Sequence, residues 1–154
     1  MTAAADATSA ARQIACPKCL AANRVPADRP AEKARCGACG TPLFDGHPVE
    51  ATEATFDALI SRTHIPVVVD FWAPWCGPCR MMAPAYEQAA AQLEPQVRLL
   101  KVDTQANPGL AARYGIRSIP TLAVFGGGQE LTRQSGAMPL PQLLRWIEAA
   151  TAYA

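Results

Sequence analysis

The chain has 154 residues, of which half are apolar and 18% are charged, and its formal net charge is +1. This length allows about one full domain, or one compact domain with a small appended module, and excludes an elaborate multidomain enzyme. The near-neutral charge excludes a strong field for a phosphate backbone or an anionic membrane, so neither nucleic acid nor membrane is expected as a partner.

The N-terminal residues are rich in Ala, Ser and Thr and contain no continuous apolar run of the signal-peptide type. We therefore predict a disordered leader over residues 1–13 and a reducing cytoplasmic location. In that compartment paired cysteines indicate metal binding or redox chemistry more often than structural disulfides. All six cysteines occur in such Cys-x-x-Cys pairs, namely Cys16/Cys19, Cys36/Cys39 and Cys76/Cys79.

The first two cysteine pairs are separated by 16 residues, a spacing typical of a four-thiolate zinc site. Glycines beside Cys36 and Cys39 allow the backbone to curl and to donate hydrogen bonds to sulfur. Four thiolates close the coordination shell, so zinc bound by Cys16, Cys19, Cys36 and Cys39 would be structural. Two disulfides or an iron–sulfur centre remain alternatives for the same residues.

A change of pattern near residues 46–48 predicts a boundary between two domains. Residues 14–46 are rich in Pro and Gly and have almost no aliphatic runs, so they form a small zinc-ribbon-like module that cannot build a core alone. Helical and strand-like segments alternate in residues 48–154, which predicts an α/β domain. We predict that chelation of zinc unfolds residues 16–45 and leaves the second domain folded.

The second domain begins with apolar residues at helical spacing over residues 53–62. The run 65–72 is apolar on both faces and predicts a strand at the centre of a sheet. A helix is expected over 78–93, with a kink at Pro84, followed by a second strand over 97–102.

The pair Cys76/Cys79 follows the central strand directly and stands at the start of the predicted helix. Unpaired backbone N–H groups and the positive end of the helix stabilise a thiolate at Cys76. A mixed disulfide formed there can be resolved by Cys79, three residues further on. Pro78 suits the first helical turn because that position needs no backbone donor. A zinc half-site or an inert buried pair is the alternative.

The remaining elements complete an α/β pattern. Asn107 and Pro108 predict a helix start, and Gly115 predicts its end. Residues 121–134 form a predicted hairpin around a triple-glycine turn, and residues 139–150 form a closing amphipathic helix.

Residues 69–79 (VDFWAPWCGPC) resemble the active-site segment of thioredoxins, and residues 114–122 (YGIRSIPTL) resemble their later proline loop. The resemblance covers residues 48–154. It implies the thioredoxin fold, in which helices flank a central mixed sheet. It also implies that Cys76 is an exposed nucleophile, that Cys79 is a buried resolving thiol, and that the two form a redox-active disulfide.

Residues 23–26 and 39–46 resemble the N-terminal extension of zinc-containing bacterial thioredoxins, the thioredoxin 2 type. The resemblance then extends over nearly the full chain from residue 14. Gly77 and Pro78 between the redox cysteines are typical of the reductases of this fold. The resemblance therefore implies reduction of protein disulfides by a monomeric enzyme that an NADPH-dependent thioredoxin reductase recycles.

Asp70 is a carboxylate within an otherwise apolar strand, so either orientation buries it. Burial without a strong partner is expected to raise its pKa and to allow proton exchange near neutrality. We interpret Asp70 as the general base for Cys79, as the resemblance also implies, with a plain ion-pair role as the alternative. The resemblance implies that Lys101 is its cationic neighbour, although a lysine extending to solvent at the sheet end is equally consistent.

A small apolar docking surface for the substrate chain is also implied by the resemblance, with a cis Ile119–Pro120 peptide bond beside Cys76. Gly136 is equally consistent with a turn that requires positive φ. The surface would comprise Trp75, Gly77, Pro78, Ile119, Pro120, Gly136 and Ala137.

Two alternative functions remain open at this stage. A redox-sensing zinc-binding module would release metal when its four N-terminal thiolates are oxidised. An isomerase or oxidase is disfavoured by Gly77 and Pro78 and by the expected cytoplasmic location.

Overall fold

The computed structural model describes residues 11–152, which form a five-stranded sheet with four α-helices, a short 3-10 helix over Ala31–Lys33 and a separate two-stranded sheet. The strands are β1 (Arg12–Ala15), β2 (Ala22–Val25), β3 (Val49–Glu50), β4 (Val67–Trp72), β5 (Arg98–Asp103), β6 (Thr121–Gly126) and β7 (Gln129–Ser135). The helices are α1 (Phe56–Ser61), α2 (Gly77–Leu93), α3 (Pro108–Arg113) and α4 (Leu140–Thr151). Residues 1–10 of the predicted leader lie outside the described residues, and β1 already begins at Arg12.

The five-stranded sheet has the order β3-β5-β4-β6-β7. Strands β3, β4 and β5 are parallel, whereas β6 and β7 run antiparallel to their neighbours. This confirms the predicted mixed sheet flanked by helices. Strand β4 occupies the centre, as expected from a segment whose first five residues are all buried.

Alternate residues of β4 face opposite sides of the sheet because successive side chains of a strand point in opposite directions. Val67, Val69 and Phe71 pack in a cluster with apolar residues of α1 and α3. Val68 packs in the second cluster, with residues of α2 and α4. By the same alternation Asp70 faces α2, the helix that carries the redox cysteines.

Helix α2 begins at Gly77, directly after Cys76, and continues to Leu93. Its path through Pro84 shows that this proline does not end the helix. Pro84 removes one backbone donor, but the neighbouring turns retain theirs, and its ring lies exposed on the outer face.

The N-terminal module is built on the antiparallel pair of β1 and β2. Its small core contains Ile14, Val25, Leu43 and Phe44, and it is completed by Ile65 from the second domain. The module therefore depends on a contact outside itself, in line with its few aliphatic residues.

The outer edge of β1 is hydrogen-bonded to the segment that follows α1. The His64 N–H donates to the Gln13 carbonyl at 2.7 Å. The Ala15 N–H donates to the Thr63 hydroxyl at 3.2 Å in a buried position. These hydrogen bonds pair two of the backbone groups of β1 that point away from β2, so this edge of the module is partly covered.

Arg98, the first residue of β5, forms a second junction between module and domain. Its buried guanidinium donates to the Leu43 carbonyl and lies 4.2 Å from the centre of the Phe44 ring. Its Nη1 lies 3.9 Å from Glu94 Oε2. Burial raises the pKa of Glu94 to about 7, although the Arg98 charge opposes this effect. The ionised form of each buried side chain is therefore stabilised by the charge of the other.

Arg98 pairs in register with Val67, so the module contacts the amino end of β4. The redox cysteines follow the carboxyl end of the same strand. Six strand residues extend about 20 Å. The N-terminal module and the Cys76/Cys79 pair therefore lie at opposite ends of the central sheet.

Candidate redox site and metal centre

Cys76 and Cys79 form a disulfide at the amino end of α2, with their Cα atoms 5.3 Å apart. Cys76 is the N-cap residue of this helix, and its Sγ accepts a hydrogen bond from the Cys79 N–H at 3.2 Å. The helix end thus directs backbone donors and the positive end of the dipole at this sulfur. In the reduced form the same groups favour a thiolate at Cys76.

The side chain of Cys76 is less exposed than expected of the nucleophile, because only 4% of the residue is accessible in this disulfide form. Its sulfur is bonded to Cys79 and packs in a small cluster with Ala73 and Ile119. Trp75 beside it is 69% exposed. The immediate neighbour of the disulfide therefore offers an apolar face to solvent.

The proline loop lies directly against the disulfide. The Ile119–Pro120 peptide bond is cis, as the resemblance implies. The carbonyl oxygen of Ile119 lies 3.7 Å from Cys76 Sγ. The Gly136 N–H donates to the Pro120 carbonyl at 2.9 Å, and Gly136 has a φ of +102°, which favours glycine. These contacts bring three separate segments of the chain to one edge of the sheet.

The residues expected to dock substrate differ in their exposure. Trp75, Gly77, Pro78 and Gly136 are exposed, and Ile119 is half-buried. Pro120 is buried, so it supports the loop from beneath. The accessible part of the loop beside the disulfide is therefore Ile119.

Asp70 is 2% exposed and pairs in register with Lys101 of β5. Burial raises the pKa of Asp70 to about 7, and the positive charge of Lys101 only partly opposes this rise. Among the described residues, Asp70 Oδ1 has no hydrogen-bond partner. Asp70 is therefore buried as expected, and burial is the cause that raises the pKa of its carboxyl group.

The Lys101 side chain is half-buried and lies near Asp70 without forming a close ion pair within residues 11–152. Its Nζ lies 4.6 Å from the centre of the Trp72 ring. A cation over an aromatic face is held by the electron density of the ring. Trp72 thus positions the lysine, an arrangement that sequence reasoning did not predict.

The four N-terminal cysteines converge on one point, with their sulfur atoms all within 4.8 Å of one another. The Sγ atoms of Cys16 and Cys39 are 3.6 Å apart, as are those of Cys19 and Cys36. Four sulfurs around a tetrahedral zinc ion would be about 3.8 Å apart, from a Zn–S distance of roughly 2.3 Å. The four cysteines therefore fit a tetrahedral metal ion.

Hydrogen bonds to sulfur support the same conclusion. The Lys18 and Cys19 N–H groups donate to Cys16 Sγ at 3.3 and 3.4 Å. In the second pair, the Ala38 N–H donates to Cys36 Sγ at 3.3 Å. Backbone donors of this kind orient thiolate ligands and stabilise their charge.

The ionisation of the cluster also favours a cation. The Asn23 amide, with help from backbone donors, lowers the pKa of Cys36 to about 6. The Ala21 backbone favours the thiolate of Cys19, but burial and the three neighbouring cysteines together raise its pKa to about 12. A proton is therefore retained where thiolates crowd together, and a divalent cation would displace it.

The two knuckles have matching backbones. The Leu20 N–H donates to the Cys16 carbonyl at 3.0 Å, and the Gly40 N–H donates to the Cys36 carbonyl at 2.9 Å. Leu20 and Gly40 have φ values of +69° and +80°. Leucine in this conformation is strained. The Leu20 side chain packs against the core of the second domain, and its carbonyl accepts a hydrogen bond from Arg62 at 2.8 Å. Both contacts stabilise this backbone conformation.

Sequence reasoning missed Arg98 and Glu94 at the junction between module and domain. The available signal was the same as for Asp70, because Arg98 is a charged residue in front of an apolar strand run. Its partners in residues 43–44 are distant in sequence, so spacing alone does not identify them.

No helix within residues 11–152 is long and apolar enough to cross a membrane.

Comparisons with known proteins agree with this architecture. Residues 47–149 match the family described as Thioredoxin, and residues 15–41 match the zinc-ribbon family described as Thioredoxin 2, N-terminal. Thioredoxin C-3 of Corynebacterium nephridii is 44% identical over 135 residues, which cover 88% of this chain and 92% of that protein. Thioredoxin 1 of Nostoc sp. is 48% identical over 99 residues, which cover 64% of this chain and 92% of that protein.

A solved structure of a mutant thioredoxin from Halobacterium salinarum superposes with a TM-score of 0.62 at 31% identity. The match covers 70% of this chain and 94% of that one. The matching domain, the disulfide at the amino end of α2 and the adjoining cis-proline loop lead to one conclusion. This chain belongs to the thioredoxin family and is a thiol-disulfide oxidoreductase with an N-terminal four-cysteine module.

Proposed function

We propose that this thioredoxin reduces disulfides in proteins and is returned to its dithiol form by an NADPH-dependent thioredoxin reductase. The observation that carries this proposal is the position of Cys76, which caps α2 beside the Ile119 carbonyl. Gly77 and Pro78 between the cysteines favour the reducing direction. The compartment proposed is the reducing cytoplasm, where the four N-terminal thiols stay available for metal.

The proposed reaction has two exchange steps. The Cys76 thiolate attacks one sulfur of a substrate disulfide, which forms a mixed disulfide and releases the other substrate sulfur as a thiolate. Cys79 then loses its proton and attacks Cys76 Sγ, which releases the second substrate sulfur. The substrate gains two electrons and two protons, and the enzyme is left with the Cys76–Cys79 disulfide. The reductase restores the dithiol with two electrons from NADPH.

Asp70 is proposed as the group that accepts the proton of Cys79. Its pKa of about 7 allows it to bind and release a proton at neutral pH. It lies on the face of β4 that α2 covers. Lys101 limits the rise in the pKa of Asp70 and so keeps the carboxylate form available. Direct contact with Cys79 is not required, because one water molecule can relay the proton.

Asp70→Asn is expected to increase the stability of the protein at high pH and to slow the resolving step. A carboxyl group whose pKa is raised by folding binds more protons in the folded state, so the free energy of unfolding decreases as pH rises from about 4 to about 7. The neutral variant lacks this loss and should be more stable than the wild type at pH 8, by up to about 4 kcal/mol. The difference should vanish near pH 4.

Urea unfolding at pH 4, 6 and 8 measures this difference, with Glu148→Gln as the control for loss of an exposed carboxylate. The contribution of Glu94 is present in both proteins and cancels. The resolving step should become slower in Asp70→Asn, and its rate should lose the dependence on a group that titrates near pH 7. An unchanged pH profile of that step would contradict the role of Asp70 as a base.

Substrate docking is proposed at the exposed surface around the disulfide. The backbone of Ile119 would pair with an extended substrate chain, and Trp75 would cover apolar side chains of that substrate. The supporting residues are Gly77, Pro78, Pro120 and Gly136. A protein that docks in this way presents its disulfide to Cys76.

The module of residues 14–46 is proposed to hold one zinc ion through Cys16, Cys19, Cys36 and Cys39, and residues 48–154 form the redox domain. When bound, zinc would join the two knuckles through four thiolates and leave no open coordination position. The position of the module at the amino end of β4, with the redox pair beyond the carboxyl end of that strand, supports a structural role.

The decisive test is NADPH-driven reduction of a disulfide-bonded protein in the presence of thioredoxin reductase, with metal content measured on the same sample. We expect turnover that depends on both proteins and one zinc ion per chain. Failure to accept electrons from the reductase would overturn the proposed recycling. A metal other than zinc would correct the assignment of the ion.

A further inference from the structure

The N-terminal module contains a cavity of about 470 Å³ that no step of the redox reaction uses. It lies between β2 and the segment 29–35. Its apolar lining includes Val25, Pro26 and Leu43, of which Val25 and Leu43 are buried. The cavity is therefore an open groove with a fixed apolar floor, here named the basic groove for the charges around it.

Four cationic side chains line the basic groove, namely Arg24, Arg29, Lys33 and Arg35. No acidic residue lines it, and Asp28 and Glu32 are exposed outside it. Within residues 11–152, none of the four cations forms an ion pair. Four like charges around one cavity favour the binding of an anion, although the net charge of the whole chain is only +1.

The backbone beside the groove also has free hydrogen-bonding groups. The Gln13 carbonyl points away from β2, because it accepts from His64 on the opposite side. Gln13 and its partner Arg24 are therefore a non-hydrogen-bonded pair of the β1–β2 ladder. The N–H and carbonyl of Arg24 consequently point outward, and within the described part of the chain they have no backbone partner.

We propose that the basic groove binds an extended acidic peptide segment of a partner protein. Guanidinium groups bind carboxylates in a bidentate manner. The free edge at Arg24 can pair with the backbone of an extended chain, and the apolar floor can accept an aliphatic side chain. A free phosphate would use the cations alone. Aromatic side chains, on which nucleic acid bases would stack, are absent from the groove lining.

The position of the groove makes this binding separate from the redox step. The module contacts the amino end of β4, and the Cys76–Cys79 disulfide follows its carboxyl end. A bound peptide would therefore leave the disulfide free. A partner held at both places would gain affinity through the raised local concentration of its second contact.

The test is calorimetric titration of the metal-loaded full chain with a blocked octapeptide that alternates Glu or Asp with Val or Leu. An analogue with Gln and Asn in place of the acids is the control peptide. We expect the acidic peptide to bind at least about tenfold more tightly than its analogue, and its affinity to fall as salt rises. Arg29→Glu should weaken binding at least tenfold.

Arg145→Glu on α4 is the matched control variant, because it changes the net charge by the same amount at an exposed position outside the groove. It should bind the peptide as the wild type does. Both variants should retain their metal content. Equal loss of affinity in the two variants would overturn the site, because only net charge would then matter.

Two further outcomes would also overturn the proposal. One is equal binding of the acidic peptide and its neutral analogue. The other is tighter binding of inorganic phosphate or of a single-stranded oligonucleotide than of the peptide, with the same sensitivity to Arg29→Glu. Because the readout is binding, it does not depend on whether the protein turns over disulfides.

Discussion

Cys76→Ser is expected to abolish disulfide reduction, with a decrease in turnover of at least about a thousandfold. The hydroxyl of serine is not ionised at neutral pH, so the amino end of α2 has no thiolate to stabilise. The substituted residue still caps the helix, because a serine oxygen accepts the N–H of Cys79 as well as sulfur does. The loss of activity should therefore occur without loss of stability relative to the reduced wild type, as measured by thermal unfolding under reducing conditions.

Cys79→Ser is expected to give a different result from Cys76→Ser. The thiolate at Cys76 remains and attacks substrate, but the internal thiol that releases the mixed disulfide is missing. The variant should therefore accumulate a covalent adduct with substrate proteins, visible by mass spectrometry and removed by a reducing agent. Cys76→Ser should form no such adduct.

The pair of variants also tests which cysteine is the nucleophile. An adduct that forms on Cys79 in the Cys76→Ser protein would reverse the assignment. The position of the two residues argues against this result, because Cys76 caps α2 and its sulfur receives a backbone donor, whereas Cys79 lies within the first helical turn. Substantial turnover by the Cys76→Ser protein would contradict the assignment of Cys76 as the nucleophile.

Removal of metal is the second change for which we expect a large effect. A chelator should collapse the amide signals of residues 12–45 in an NMR spectrum and leave those of β4 and α2 in place. The apparent free energy of zinc binding by four-ligand modules is on the order of 10 kcal/mol. A core as small as that around Ile14 and Leu43 stabilises a fold by only a few kcal/mol. We therefore expect folding of the module to depend on its metal.

Cys16→Ser and Cys36→Ser should reproduce the effect of the chelator, whereas the double variant Cys76→Ser/Cys79→Ser should bind metal normally. Turnover by the metal-free protein should remain within a few-fold of the wild type, because the module and the redox pair lie at opposite ends of the central sheet. Unchanged signals in residues 12–45 after chelation would contradict a structural role for the metal. Loss of turnover with a folded second domain would indicate coupling between the two centres.

The sequence predicted the redox domain well because its local signals agree with its tertiary structure. The segment 65–72 is apolar on both faces and does form the central strand. The cysteine at the start of the next helix does cap that helix. The position of Asp70 also follows from sequence, since a carboxylate within a central strand is buried in either orientation.

Other features could not be predicted because they depend on contacts between distant segments. Strand β3 has two residues, and it is defined by pairing with β5, not by a pattern of its own. The position of Lys101 over Trp72 depends on the register of two strands. The basic groove combines residues from β2 with residues some ten positions later, and their charges are unremarkable when they are read along the chain.

The junction at Arg98 has a consequence for dissecting this protein. Excision of the first 47 residues would remove the carbonyl and the aromatic ring that accommodate a buried guanidinium, and it would uncover Ile65. Glu94 and Arg98 would then face solvent on a surface shaped for another chain segment. The remaining fragment is thus an incomplete protein rather than a minimal one, and redesign of this surface would have to precede its use as a stand-alone scaffold.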